Sequence, residues 1–231
     1  MHFTTLEGLV DYVGTEGDRI LLSNNSVVDI TATDETVTFY APSGKHKVKL
    51  VESVGRSSYV SVGGEALVEL HNFPALSTVT RFNFTTGKYN PLPNLTKVPN
   101  FLPSNIRNIE HLLLVATSFN QDISMWDVSN VTNMKGMFSD ATSFNQSLNN
   151  WNVSNVTNMS YMFYNARSFN QSLNNWNVSN VTNMSNMFYS ATSFNQDLSN
   201  WCVSKIPTMP ADFNTGASSW TLPTPVWGTC P

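Results

Sequence analysis

Apolar residues recur through the second half of the chain at one fixed interval, with no insertion or deletion between copies. The interval separates Trp126, Trp151, Trp176 and Trp201, and each full copy continues through the same order of Val, Met, Phe and Ala. A fixed period of this length is typical of proteins in which each copy is one coil of a solenoid. We therefore predict that equivalent apolar residues stack from copy to copy and form the core.

Within one copy the apolar spacing changes from two residues to three or four. Trp176 and Val178 alternate with polar residues, which predicts a short strand with both side chains facing inward. Together with Leu173 they match the strand pattern of a leucine-rich repeat. Val181 and Met184 continue at three-residue steps, which favours a helical turn or short 3₁₀ segment on the opposite side. The predicted fold class is an α/β solenoid, a leucine-rich-repeat-like right-handed coil.

Residues 1–70 follow a different pattern and are predicted to form a small N-terminal β-rich module. β-branched and aromatic residues alternate with others at 36–40, 45–51 and 58–62, which predicts short antiparallel strands. Leucines and valines at three- and four-residue spacing favour an opening helix over residues 4–13.

The domain boundaries follow from where the repeat begins and ends. We assign residues 71–100 to a transition with a degenerate repeat, residues 101–206 to the repeat solenoid, and residues 207–231 to a C-terminal cap. Phe101 stands one repeat interval before Trp126 and is expected in the same apolar slot. Terminal repeats are expected to be atypical because one of their faces meets no neighbouring repeat.

The cap keeps part of the apolar pattern. Met209 and Phe213 continue it, while Pro207 prevents a helix from extending through this segment. Cys202 and Cys230 bracket the cap, and a disulfide between them would close a loop of about 28 residues and stabilise the fold by roughly 3–4 kcal/mol. The alternative is two reduced, buried thiols. A disulfide would place the protein in an oxidising, extracellular setting.

Three sets of conspicuous residues each have a structural and a functional interpretation. The tryptophans suit either core packing or a platform for carbohydrate, and the inward phase of the strand favours the core. The methionine pairs suit gap filling in the core better than metal ligation. Asn145, Asn170 and Asn195 suit either a ligand site or an internal ladder of amides that bond the backbone of neighbouring coils, as buried polar groups must.

Composition excludes several classes of function. Only 12% of residues are charged and the net charge is −4, without the basic cluster that nucleic-acid binding requires. No stretch approaches the roughly 20 apolar residues that span a bilayer, so membrane insertion is not expected. Between residues 126 and 200 only five side chains are charged, too few for general acid–base catalysis. We expect no enzyme activity, no cofactor and no metal site.

The outward positions of the predicted strands form a neutral strip, which is the candidate binding surface. Amides and hydroxyls in such a strip suit hydrogen bonding to glycans or to a peptide backbone, and a face that is merely solvated is the alternative. The candidate ligand-binding residues are Asp127, Ser129, Asn150, Asn152, Ser154, Asn175, Asn177 and Ser179.

Residues 151–171 are one copy of the repeat phrase W-x-V-S-x-V-T-x-M-x-x-M-F-x-x-A-x-x-F-N-Q. This phrase resembles the repeats of the BspA-like leucine-rich repeat proteins. More narrowly it is similar to a 25-residue repeat family first collected from mycoplasma surface proteins. The resemblance covers residues 101–206 and is closest between Phe119 and Trp201. It implies a surface protein that attaches to other cells or to matrix, and it implies no catalytic residues.

Two functional hypotheses follow. The first is a non-catalytic recognition or adhesion protein at the cell surface or outside the cell, whose partner is a host-cell surface glycan or protein. The second is a phage virion or decoration protein, or a tail adhesin, that residues 1–70 anchor to other virion proteins. Residues 1–7 have neither a basic start nor an apolar core, so we do not expect a signal peptide there. A virion protein would reach an oxidising exterior without one.

Overall fold

The computed structural model describes residues 92–231 in full and, before them, the backbone of nine strands between residues 2 and 83. The strands are, in chain order, β1 (His2–Leu6), β2 (Leu9–Val13), β3 (Arg19–Leu21), β4 (Val27–Thr33), β5 (Thr36–Tyr40), β6 (His46–Leu50), β7 (Tyr59–Gly63), β8 (Leu67–Asn72) and β9 (Arg81–Asn83). They form one sheet in the order β1-β2-β6-β8 and a second in the order β3-β4-β5-β7-β9.

The strands predicted at 36–40, 45–51 and 58–62 are confirmed as β5, β6 and β7. Their expected antiparallel pairing is confirmed for β5, which pairs with β4, but it is wrong for β6 and β7, whose pairs with β8, β5 and β9 are parallel. From β5 onward, successive strands alternate between the two sheets, so each strand supplies part of the connection that parallel neighbours need. Among the nine described strands, the antiparallel pairs are β1 with β2, β3 with β4 and β4 with β5.

The helix predicted over residues 4–13 is also wrong. These residues belong mostly to β1 and β2, which pair antiparallel with Phe3 opposite Tyr12. Leu6 and Leu9, whose spacing suited a helical face, are cross-strand partners at the end of this pair. A three-residue separation brings two side chains together in either arrangement, so the spacing alone did not distinguish them.

From residue 92 onward the chain is a stack of coils that hydrogen-bond to one another. In one coil, the N–H groups of Met159, Tyr161, Phe163 and Asn165 donate to carbonyls of the following coil, at 2.7–2.9 Å. The same alternate positions do so in the preceding coil. Isolated parallel bridges mark the register between coils at Asn108, Asn133, Asn158 and Asn183. We propose the solenoid class on this stacking, and the right-handed coil and the leucine-rich-repeat relation stay predictions.

Turns close each coil, and the described residues 92–231 contain no helix. Backbone bonds join residues three apart, from Trp151 to Leu148, from Val156 to Val153 and from Met162 to Met159. Both ends of each turn are buried apolar residues. A β-turn brings its first and fourth residues within 7 Å, so apolar residues three apart meet in the core without a helix.

Left-handed residues are the reason that the expected helical segment is a series of turns. Tyr161 and Asn165 have φ values of 58° and 53°, and the aligned Asn186 and Ser190 repeat them. Such residues cannot continue a right-handed helix. They turn alternate N–H groups along the stack, toward the next coil, instead of toward the carbonyl four residues back.

The core is continuous along the stack, and the tryptophans belong to it as predicted. Trp176 is 3% exposed, and its ring lies 6.3 Å from that of Trp201 at an interplanar angle of 6°. The indole N–H of Trp176 donates to the carbonyl of Leu148 at 2.8 Å, so its polar atom is satisfied. The repeat methionines are fully buried, which confirms their prediction as core residues.

The two ends of the stack differ from the sequence prediction in two places. Phe101 does not occupy the tryptophan slot, because it is 52% exposed and the indole of Trp126 instead donates to the carbonyl of Pro99. Met209, expected to continue the core, is 50% exposed. Trp220 closes the far end with its ring 4.7 Å from that of Phe194.

Candidate ligand-binding groove

The predicted strip lies at the surface, and its side chains build local turns. Asp127, Asn150, Asn152, Asn175 and Asn177 are exposed, and the serines beside them are partly exposed. The Oδ1 of Asn152 accepts the backbone N–H of Ser154 at 3.2 Å and its hydroxyl at 2.7 Å. The pair Asn177 and Ser179 repeats both bonds. The geometry therefore assigns these residues a structural task, and their binding of a ligand stays a prediction.

The asparagine ladder is confirmed by its hydrogen bonds. The Oδ1 of Asn145 accepts the backbone N–H of Asn170 at 3.0 Å, and the Oδ1 of Asn170 accepts that of Asn195 at 2.8 Å. The glutamine that follows each of them also donates to the Oδ1 one coil back, as Gln171 does at 3.0 Å. The ladder runs along the edge of the stack rather than inside it, since Asn170 is exposed.

A different face of the stack carries an open groove, which we call the tyrosine groove. It has a volume of about 670 Å³ and runs across five successive coils. Its floor comes from the segment of each coil that contains the left-handed residues. The groove is lined by His111, Leu114, Val115, Lys135, Ser139, Asp140, Tyr161, Tyr164, Asn186, Tyr189 and Asp212.

Three tyrosines form the aromatic part of the groove. The rings of Tyr164 and Tyr189, on neighbouring coils, stack at 4.9 Å with an interplanar angle of 6°. Tyr161 is 40% exposed, and its ring lies 5.8 Å from that of Tyr164 at 44°. Desolvation raises the pKa of Tyr164, with further contributions from Tyr189, Asp140 and Tyr161. Tyr164 is therefore a neutral hydrogen-bonding group at physiological pH.

Polar groups around the tyrosines are held in place by one another. The Oδ1 of Asp140 accepts the Nδ2–H of Asn165, and its Oδ2 accepts the hydroxyl of Ser139 at 3.2 Å. The Nε of Arg167 donates to the Oδ1 of Asn165 at 2.7 Å. These bonds fix the direction of the Asp140 carboxylate at the edge of the rings.

The single lysine of the groove lining is paired. Its ammonium lies 3.2 Å from the carboxylate of Glu110, and both side chains are partly exposed. Asp140 and Asp212 are the two carboxylates of the lining. The lining therefore lacks the cluster of cations that would favour an anionic ligand.

The sequence prediction placed the site on another face and missed this groove. The signal in the sequence was variation of residue type at equivalent positions of repeats that otherwise carry the same residues. The position of Tyr161 is His111, Gly136 and Asn186 in other coils, and the position of Tyr164 is Leu114, Ser139 and Tyr189. Core positions stay apolar and the ladder position stays Asn because stacking constrains them, so a change between polar, aromatic and aliphatic residues marks positions that stacking leaves unconstrained.

The predicted disulfide between Cys202 and Cys230 is present. Within residues 92–231, no group of three His, Cys, Asp or Glu side chains is arranged to hold a metal ion. The part of the chain that the structure describes also contains no helix with the length and apolarity needed to cross a membrane.

Comparison with known proteins gives one family. The family model described as Mycoplasma protein of unknown function, DUF285, matches residues 83–201 and 148–229. The two matches together cover the repeats and most of the cap. They support the resemblance to the repeat family first collected from mycoplasma proteins. No curated protein and no solved structure matches the chain.

Proposed function

Since the chain belongs to the DUF285 family over its repeats and cap, we propose that it is a surface-exposed, non-catalytic recognition protein that attaches to a host-cell glycan or protein. The family suggests a surface protein, and the disulfide between Cys202 and Cys230 suits an oxidising exterior. The tyrosine groove is the part of the described surface that best fits the recognition itself.

The observation that carries the proposal is the exposure of tyrosines in an otherwise Asn- and Ser-rich surface. Tyrosine offers a large apolar face and a hydroxyl in one rigid side chain, which is why it is enriched where proteins bind partners. Extended faces of repeat proteins are common binding surfaces. Here the stacked pair of Tyr164 and Tyr189 and the half-exposed Tyr161 open onto one groove.

The test is binding of the full chain to a printed array of glycans and extracellular-matrix proteins. The groove variant is Tyr161→Gly with Tyr164→Ser, because the coil before it carries Gly136 and Ser139 at these positions. The substitutions therefore reproduce a surface that the stack already tolerates. The matched control is Asn152→Ala with Asn177→Ala on the predicted strip. We expect binding that the groove variant loses and the strip variant keeps.

Two other results would overturn parts of this proposal. Loss of binding in the strip variant alone would show that the binding site is the strip predicted from sequence. Absence of binding to every array element would remove the recognition function. Co-purification of residues 1–70 with phage particles would then favour the virion hypothesis.

A further inference from the structure

The tyrosine groove contains one gap in an otherwise filled column of side chains. The column consists of Leu114, Ser139, Tyr164 and Tyr189, which hold the same repeat position in four successive coils. Tyr189 covers one face of the Tyr164 ring at 4.9 Å. On the other side the aligned residue is Ser139, whose hydroxymethyl group is too small to cover a phenol ring. We call the space between Leu114 and Tyr164, above Ser139, the notch.

The neighbouring column borders the notch, whose floor at Ser139 is 7% exposed within the groove. There Gly136 stands between His111 and Tyr161, and the imidazole of His111 lies against it so closely that an added Cβ would overlap the ring. The imidazole therefore lies low over the Gly136 backbone and forms a side wall. Leu114 and Tyr164 form the two ends of the notch, and the Asp140 carboxylate lies at its edge.

We propose that the notch binds one sugar residue of a neutral glycan; this inference rests on the recognition function proposed above. A pyranose ring has an apolar face of C–H groups, and this face packs on the side of the Tyr164 ring opposite Tyr189. Its hydroxyl groups lie around the rim of the ring. Two neighbouring hydroxyls donate to the oriented carboxylate of Asp140, and the hydroxyls of Tyr161 and Ser139 lie within the same groove.

The charges of the groove select against anionic ligands. Its lysine is already paired with Glu110, while Asp140 and Asp212 add negative charge to the lining. A sialylated or sulfated glycan would bring like charge to Asp140, and the lysine of the lining already offsets Glu110. A cationic ligand is less well matched, because Tyr164 and Tyr189 stack in parallel and do not form the cage that encloses an ammonium group.

The experiment is a calorimetric titration of the full chain with lactose, maltotriose, mannotriose and chitotriose, with sialyllactose and choline as charged probes. The notch variant is Ser139→Tyr, which places in the notch the residue that the aligned positions 164 and 189 carry. It keeps all three tyrosines of the groove. The matched control is Ser143→Tyr, which makes the same change at an exposed serine of the same coil.

We expect at least one neutral saccharide to bind and sialyllactose not to bind. Ser139→Tyr should weaken neutral-saccharide binding by about tenfold or more, while Ser143→Tyr leaves it unchanged. Asp140→Asn, which has the residue type of the aligned Asn165, should also weaken it about tenfold because the charged acceptor is lost.

Three results would overturn the inference. Neutral-saccharide binding that Ser139→Tyr leaves unchanged would place the sugar outside the notch. Binding of choline or sialyllactose in preference to neutral saccharides would show that the ligand is charged and is not a neutral glycan. Groove-dependent binding to matrix proteins on the array, without binding of any neutral saccharide, would keep the recognition function and reject the glycan.

Discussion

At the scale of single residues, the exposed Asp and Asn side chains of the predicted strip close turns. Asp127 accepts the backbone N–H of Ser129 at 3.0 Å, and Asn152 and Asn177 do the same for the serines two residues ahead of them. Asp and Asn suit this arrangement because their short side chains satisfy a backbone donor two residues on. The two residue types are therefore interchangeable here in geometry but not in charge.

We predict that Asp127→Ala lowers the free energy of unfolding by about 1 kcal/mol, the typical net value of one hydrogen bond. Asp127→Asn is the matched control, because it introduces the residue of the next two coils. It should stay within about 0.5 kcal/mol of the wild type at neutral pH. Chemical denaturation of the three proteins measures both differences. Equal destabilisation by Asp127→Ala and Asp127→Asn would show that the hydrogen bond from the Ser129 N–H does not stabilise this turn.

The wild type and Asp127→Asn also give a prediction for how stability depends on pH. Hydrogen bonds from the Ser129 side chain and backbone lower the pKa of Asp127 below its ordinary value of 3.8. A lowered carboxyl pKa adds stability that is present above the ordinary value and is lost as pH falls through the folded-state pKa. The wild type should therefore lose stability relative to Asp127→Asn as pH drops below 3.8. If the free energies of unfolding of the two proteins change in parallel with pH, this prediction is wrong.

At the scale of elements, the sequence predicted the buried residues correctly. It predicted the backbone conformation of the same segments less well. Trp176 and Met184 were correctly assigned to the core because the fixed repeat period places them in columns. Their three-residue spacing suits both a helix and a chain of turns. The deciding feature was positive φ at Tyr161 and Asn165. Asn adopts this conformation more often than most residues, whereas tyrosine rarely does, so the signal in this repeat was weaker than that of the aligned Gly136.

The site was missed for a related reason. Alternation along a predicted strand indicated which residues face outward, and this placed the strip at the surface as found. The groove forms where the predicted helix would have been. Tyr161 and Tyr164 are three residues apart and would share one face of a helix as well, so their spacing alone did not mark a binding groove.

Gly136 offers a test of the turn geometry. It has φ of 58°, and a Cβ there would overlap the imidazole of His111. We predict that Gly136→Ala costs about 2 kcal/mol or more, of which about 1–2 kcal/mol is the left-handed backbone. The double variant His111→Ala with Gly136→Ala should remove the overlap and keep only the backbone cost. A double-mutant cycle by thermal or chemical unfolding measures this coupling. Additive effects would show that the imidazole does not rest on Gly136.

At the scale of the whole molecule, the disulfide holds the end of the stack closed. Trp220 and Trp227 pack over Phe194 and Phe213, with rings 4.7 and 4.9 Å apart. The disulfide joins Cys202, two residues after the last full repeat, to Cys230 at the end of this segment. The cap covers core faces that no further coil would cover.

We predict that reduction of the disulfide lowers the free energy of unfolding by roughly 3–4 kcal/mol, because the unfolded chain gains the freedom of a loop of about 28 residues. The double variant Cys202→Ser with Cys230→Ser should match the reduced protein and should not respond to reductant. Denaturation with and without reductant measures the difference. A reduced protein as stable as the oxidised one would show that packing alone closes the stack.

The stack should behave as a sum of coils, each contacting only its neighbours. Removal of residues 151–175 joins Asn150 to Trp176, which restores the same junction that Asn150 and Trp151 form. The columns then close again, with Trp126 against Trp176. We predict that this shortened protein folds with lower stability, and that Tyr189 takes the place of Tyr164 beside Ser139 in the column.

Removal of residues 151–172 is the matched control, because it deletes less than one full repeat and shifts every later position against its column. Apolar residues then meet polar ones across the core, and the alternate N–H groups lose their partners in the next coil. This protein should not show the cooperative unfolding and near-ultraviolet circular dichroism of the full-repeat deletion. If both deletions fold equally well, the repeat register does not determine the stack, and the alignment of columns that forms the notch would lose its basis.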